Sequence, residues 1–177
     1  MAKLLPPQAV LKEWFDYNSN TGDFIWRKEP RQIRPVLGKI AGTRVKPSGY
    51  VMISVPGFGL LGAHRLAWIY VHGCAIGGAE IDHRDTNPSN NAISNLRLAT
   101  SSEQKRNKRV QSNNRSGLKG AFYHDCRKGK KWRSQIRIRE NGRSRLIFLG
   151  YFDTPVEAHQ AYAIAAKKFF GEFARAA

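Results

Sequence analysis

The chain has 177 residues, the length of one ordinary domain or two small modules and too short for a large barrel enzyme with a deep cleft. Lys and Arg number 30 against 13 Asp and Glu, a formal net charge of +17 that exceeds what solubility requires and suits a polyanionic partner, nucleic acid first. No long apolar run occurs, the start MAKLLPPQAV lacks the pattern of a secretory signal, and Cys74 and Cys126 have no second pair; an intracellular protein without a membrane span, a structural zinc or a disulfide scaffold is expected.

The charge is unevenly spread. Residues 1–107 carry 14 basic and 8 acidic side chains, whereas residues 108–177 carry 16 basic and only 5 acidic. Between the two parts lies KRNKRVQSNNRSGLK, residues 105–119, with six positive charges, no acid and a Ser/Asn/Gly centre that resists regular structure. Its middle reads as a basic linker that tracks phosphates through Arg106, Arg109 and Arg115. The expected organisation is a first module over 1–108, a linker over 109–117 and a second module over 118–177.

In chain order, PPQAVLKEWFDYN predicts a short helix with Val10, Leu11, Trp14 and Phe15 on its core side. GDFIWRK, GKIAG, GYVMISV and the turn PGFG leading into LLGAHRL read as short strands punctuated by glycine and proline. AHRLAWIYVHG predicts a helix with Leu66, Ile69 and Tyr70 on one face and Gly73 as its left-handed stop. His64 and His72, near its two ends, read as surface or capping residues.

The passage IDHRDTNPSNNAISNLRLATSSEQKRNK, residues 81–108, is the most specific in the first module. A strand bearing Asp82 and His83 is followed by a loop rich in Asn, Pro and Ser, then a strand around Asn95-Leu96-Arg97-Leu98. A helix follows, capped by Thr100 with Glu103 three positions on. This hairpin-and-helix pattern sets Asp82 and His83 against Gln104 and, one turn later, Asn107. Asn87, Asn90 and Asn91 read as turn formers, since Asn-Pro and Asn-Asn suit left-handed turn positions.

This stretch resembles the HNH nuclease motif, the ββα-metal finger, in the form found in phage and intron-encoded homing endonucleases. The resemblance covers most of residues 8–108, including DYNSNTGDFIW and AHRLAWIYVHG. It implies a metal-dependent endonuclease acting on double-stranded DNA, with one divalent ion, Mg²⁺ or Mn²⁺. Asp82 matches the carboxylate that binds the ion, His83 the general base, and Asn95 the asparagine that steadies the histidine loop. The last ligand, an Asn or His in the family, falls on Gln104 here, with Asn107 the alternative one turn later. The residue types suit the chemistry: an imidazole near neutral pH takes a proton from water, and a carboxylate and an amide oxygen are hard ligands for such a cation.

Residues 116–177 have a different texture. WRSQIRIR, residues 132–139, alternates Arg133, Gln135, Arg137 and Arg139 with Trp132, Ser134, Ile136 and Ile138. RSRLIFLG places Arg143 and Arg145 on one face and Leu146 and Phe148 on the other, and Glu140 to Gly142 reads as the hairpin link. DTPVEAHQAYAIAAKKFFG predicts a helix capped by Thr154, with Pro155 first, Glu157 completing the box and Gly171 as stop. Ala158, Ala161, Tyr162, Ala165 and Phe169 form its face toward the sheet.

With LKGAFYH, WRSQIRI, FLGYFDT and EAHQAYAIAAKKFFG, residues 117–172 resemble the plant APETALA or ethylene-response-factor DNA-binding domain. The resemblance implies a sheet in the major groove, with Lys119, Gln135 and Arg137 at the DNA; strand parity adds Arg133 and Arg145. Phe122, His124 and Cys126 stand where the plant domains carry base-reading arginines and tryptophans, so the plant target is not carried over. The expected fold is therefore α+β: an N-terminal ββα-metal module and a C-terminal three-stranded antiparallel sheet packed on one helix. The expected activity is strand nicking by a monomer. Two other readings stay open: a DNA-binding protein without catalysis, which Gln104 favours, and RNA association, which charge alone supports because no single-strand stacking platform is evident in the sequence.

Overall fold

Glycine and proline recur so often in the first hundred residues that only short elements fit between them. The computed structural model describes residues 4–30, 35–73, 77, 79–106, 110, 114–125, 129, 131–140 and 142–174. Cys74, Cys126, Asn107 and Arg109 lie outside these residues. The structure is a mixed α+β arrangement of small antiparallel sheets and helices, in two units, Met1–Ser101 and Ser102–Ala177. Among the described residues no helix is long and apolar enough to cross a membrane.

In the first unit α1, Gln8–Trp14, leads into the hairpin of β1, Phe15–Tyr17, and β2, Phe24–Trp26, with β3, Ile40–Ala41, on its outer edge. A second antiparallel sheet joins β4, Thr43–Arg44, β5, Val51–Val55, and β6, Gly59–Gly62. Then come α2, Ala63–His72, and a two-stranded ribbon of β7, Glu80–His83, and β8, Leu96–Ala99. The helix expected through Phe15 stops at Trp14, because Phe15-Asp16-Tyr17 pairs in register with Phe24–Trp26. Phe15 therefore enters the core from a strand, edge-on to Phe24 and with its ring centroid 4.5 Å from that of Trp26. Leu66 and Ile69 bury the inner face of α2, which ends where Gly73 takes a φ of 71° and donates to the Ile69 carbonyl. Ile81 and Leu96 join the same core and anchor the ribbon.

α3, Ser101–Arg106, starts directly after Thr100 and runs across the boundary into the second unit. A three-stranded sheet follows in the order β11-β10-β9, built from β9, Ala121–Tyr123, β10, Trp132–Glu140, and β11, Arg143–Phe152. Against it packs α4, Pro155–Phe170. The Thr154 hydroxyl accepts from the Glu157 amide and Gly171 supplies the stop, as the sequence predicts. Ala158, Tyr162, Ala165 and Ala166 are buried, and Phe170 closes the cluster with Ile136, Ile138, Ile147 and Leu149. Phe169, expected in that role, is 41% exposed, because the core stripe runs one residue later at its C-terminal end.

Register decides which side chains share a face. Arg133 lies between Phe122 and Tyr151, Gln135 is paired with Phe148, Arg137 with Leu146, and Arg139 with Ser144. Directly opposed residues point the same way, so the face away from α4 carries arginines interleaved with Phe122, Phe148, Tyr151 and Leu146. Arg145 pairs with Ile138 and so lies on the side of Ile136. This corrects the grouping of Arg145 with Arg133 and Arg137. It also places Leu146 and Phe148, 50% and 55% exposed, on the open face, while Ile147 and Leu149 meet the helix. The change in parity between the two ends of β11 comes from an irregularity between Ser134 and Gln135, opposite Gly150 at φ 132°.

Gly120 has a φ of 79°, and a Cβ there would overlap the ring of Tyr162. Gly142 has a similar φ of 77° with open space around it. We expect Gly142→Ala to cost about 1 kcal/mol, the left-handed strain alone, and Gly120→Ala to cost at least about twice that by adding overpacking. Urea denaturation of the two variants checks the order.

Candidate active site

The ribbon of β7 and β8 fixes the site by its register. Asp82 is opposite Arg97 and His83 is opposite Leu96. Nε and Nη2 of Arg97 both donate to Oδ2 of Asp82, at 2.9 and 2.8 Å, and both side chains are buried. Successive strand residues point to opposite faces, so His83 turns toward the side of Ile81 and Leu96. The expectation that Asp82 and His83 share one outlook is corrected by this alternation.

Between the strands, residues 84–95 are shaped by amide and carboxylate side chains. Asp85 Oδ1 accepts from the Asn87 backbone N–H and from Asn95 Nδ2, and Oδ2 accepts from Asn90 Nδ2. Burial pushes the Asp85 carboxyl up, but these hydrogen bonds outweigh it and hold it below its ordinary range. Asn95 accepts from the Asp85 N–H and donates to the Asn90 carbonyl. Asn95 thus ties together the loop that leaves His83, and Asn87 and Asn90 shape its turns.

Asn91 is not a mere turn former. It is 2% exposed, and its Oδ1 lies 3.3 Å from His83 Nε2 while its Nδ2 donates to the Ser89 carbonyl. With Nδ2 committed to Ser89, the oxygen faces the imidazole; an amide oxygen only accepts, so Nε2 carries the proton and Nδ1 bears the lone pair. Burial lowers the His83 pKa, against the opposing effects of Asn91, Asp85 and Asp82, which favours the neutral ring that proton abstraction requires. Asn91 is itself held from the far end of the chain. The Tyr17 hydroxyl donates to the Asn91 carbonyl at 2.7 Å, and burial pushes that hydroxyl up to about 12. Gly22, at φ 81°, lies so close that a Cβ would overlap the Asn91–Ala92 backbone.

His64, read from sequence as a surface or capping residue, lies beside His83 with ring centroids 5.5 Å apart, and Tyr50 is within 6.0 Å of both. Its Nδ1 is buried without a hydrogen-bond partner. A cavity of about 490 Å³ opens here, lined by Tyr50, Met52, Leu60, His64 and Arg65. Neither His64 nor Asn91 carries a sequence signal of its own; each becomes visible only when β6, α2 and the loop converge on His83.

Gln104 is half-buried in α3, and Arg106 is the last residue of that helix. Arg115 is exposed with its guanidinium 5.8 Å from the Tyr123 ring centroid, and the Lys119 carbonyl accepts from His159 Nδ1 at 2.8 Å. Among the described residues no group of three or more His, Cys, Asp and Glu could hold a metal ion. The donors near His83 are hard oxygens of the carboxylates of Asp82 and Asp85 and of amides. They fit an ion of the magnesium class, which keeps several waters and takes one or two protein carboxylates.

Burial first, and then the electrostatic effect of His83 and Arg65 beside it, pushes His64 from 6.5 down to about 4. Between those values the unfolded chain binds a proton that the folded protein does not, so stability falls as pH drops through this window. His83, lowered by burial, adds in the same direction. The expected slope is up to about 1.4 kcal/mol per pH unit for each group. His64→Gln flattens it, as urea midpoints from pH 7.5 to 4.5 will register.

Residues 61–106 match the HNH endonuclease family model. Protein 3.8 of Escherichia phage T7 is 38% identical over 73 residues, which are 41% of this chain and 59% of that protein, so the match spans less than two thirds of the relative. A solved structure described as DNA binding and cleavage by the HNH homing endonuclease I-HmuI aligns with a TM-score of 0.39 at 26% identity, over 52% of this chain and 51% of that one.

Proposed function

We propose that the chain is a metal-dependent DNA endonuclease that hydrolyses phosphodiesters and nicks duplex DNA as a monomer. Residues 1–108 are the catalytic module and residues 118–177 a DNA reader of the APETALA type. The observation that carries this reading is the contact of His83 Nε2 with the buried Asn91 amide, inside the segment that matches the HNH endonuclease model. His83 Nδ1 takes the proton of the attacking water, Asn91 fixes the tautomer and the ring, and Asn95 holds the loop through Asp85.

Asp82 is the carboxylate that would hold the ion, with Arg97 setting its orientation. On the resemblance alone, the amide of Gln104 or Asn107 adds a second ligand. A bound Mg²⁺ or Mn²⁺ supplies charge stabilisation for the phosphorane and the leaving oxygen. In the second unit Lys119, Arg133, Gln135 and Arg137 are the proposed DNA contacts, with Arg106, Arg109 and Arg115 on phosphates; Arg145 is left out because its register puts it on the helix side of the sheet.

A DNA-binding protein without catalysis is the second reading, and it has a specific observation in its favour: Asp82 Oδ2 is engaged twice by a buried cation. Supercoiled-plasmid nicking with Mg²⁺, Mn²⁺ or EDTA, run beside a gel shift, separates the two. The nuclease reading expects metal-dependent nicking by wild type and a loss of about 10²–10⁴-fold in His83→Ala. Asn91→Ala should lose up to about a hundredfold through misplacement of the ring. Both variants should still shift DNA. Shifting without nicking by wild type in either metal would establish the non-catalytic reading.

A further inference from the structure

The open face of the second unit's sheet is chemically mixed in an informative way. Its strand residues include Arg133, Arg137 and Arg139 and no carboxylate, which suits a polyanion. Yet Phe148 and Leu146 are 55% and 50% exposed at its centre, and Phe122 and Tyr151 are each about two-fifths exposed beside them. Phe148 meets Tyr151 edge-on with centroids 5.0 Å apart, and Tyr151 in turn stacks on His124 at 5.4 Å. The ring is therefore held in place and is not a loose surface side chain. Across the ladder, directly opposite Phe148, stands Gln135, half-buried and flanked by Arg133 and Arg137 on the same face of β10.

A duplex approached through its major groove offers hydrogen-bonding edges and one apolar group, the C5 methyl of thymine. Adenine there presents a donor and an acceptor side by side, the pattern that a glutamine amide complements with both its groups. Guanine presents two acceptors, which an amide matches only by half, and its cytosine partner has no methyl. An amide and an aromatic ring facing each other across adjacent strands, about 5 Å apart, thus have the chemistry of one base pair.

We propose that Gln135 and Phe148 read an A·T pair in the major groove, the amide on adenine and the ring against the thymine methyl. The inference rests on the reading of this sheet as a duplex-DNA reader and names what it recognises. Arg133, Arg137 and Arg139 hold the strand by its phosphates or neighbouring guanines, and Leu146 extends the apolar strip by one register position.

The test is a gel-shift competition with the full chain in EDTA, so that no strand is cut. Competitors are an alternating A·T duplex, the same duplex with deoxyuridine for thymidine, an alternating G·C duplex and a single strand. Burying one methyl is worth about 0.8 kcal/mol, or about fourfold. Wild type should prefer the thymidine duplex over the deoxyuridine duplex by at least that factor, with G·C weaker than both. Phe148→Ala, at an exposed position, should make the thymidine and deoxyuridine duplexes equal while still binding, and Phe148→Leu should keep part of the difference. Gln135→Ala should narrow the gap between A·T and G·C. Equal competition by the thymidine and deoxyuridine duplexes with wild type would overturn the proposal and leave the DNA reader standing. Failure to shift any duplex would overturn the reader itself, and a single strand outcompeting every duplex would assign the rings to unpaired bases instead.

Discussion

The site depends on one buried amide. Asn91 is almost fully enclosed, and a buried amide left unpaired costs roughly 1–3 kcal/mol for each unmet group. Its side chain is bonded to His83 and Ser89 and its carbonyl to Tyr17. Satisfying that residue ties a loop between two strands to a hairpin more than seventy residues earlier. The chain of constraint runs from Gly22, which leaves room for the loop backbone, through Asn91 to the imidazole. A loop keeps its side chains in one geometry only when its surroundings immobilise it, and here hydrogen bonds perform that task.

The buried pair of Asp82 and Arg97 works differently. Desolvating two charges offsets most of their attraction, so such a pair contributes little net stability even when its geometry is good. It does specify register. A slip of one residue in the ribbon would leave Arg97 buried without its carboxylate and would turn His83 out of the core side. The ion pair and the His83–Asn91 contact thus exclude the same error from two faces of the ribbon.

Elements with strong local signals were legible in the sequence. The glycine that stops α2, the Thr154 cap of α4, and the alternation of β10 follow from residue chemistry within a few positions, and the structure has them. Asn91 was not legible, because a buried asparagine and a turn asparagine have the same letter, and what distinguishes them is the packing of Tyr17 and Gly22. His64 is hidden from a sequence reading for the same reason: position near a helix end says nothing of what lies across from it. Arg145 shows a third kind of loss. Parity within β11 was right, but whether its odd or even residues join the arginines of β10 depends on pairing and on the irregularity opposite Gly150, neither of which is written in local periodicity.

The two faces of the second sheet then acquire a common cause. Alanines along α4 let the helix lie close to Ile136 and Ile147, and that face is complete without any residue of the other. Phe148 and Leu146 therefore add little to the fold, and polar residues in their place would change stability by only a few tenths of a kcal/mol. An apolar patch that folding does not require, set among arginines on a sheet face, marks a surface shaped by what it meets. Phosphate contacts supply affinity without sequence, whereas contacts to base edges supply sequence with less affinity. Arg133 and Arg137 interleave with Gln135 and Phe148 on one strand pair, so one sheet face carries the groups that each kind of contact would use.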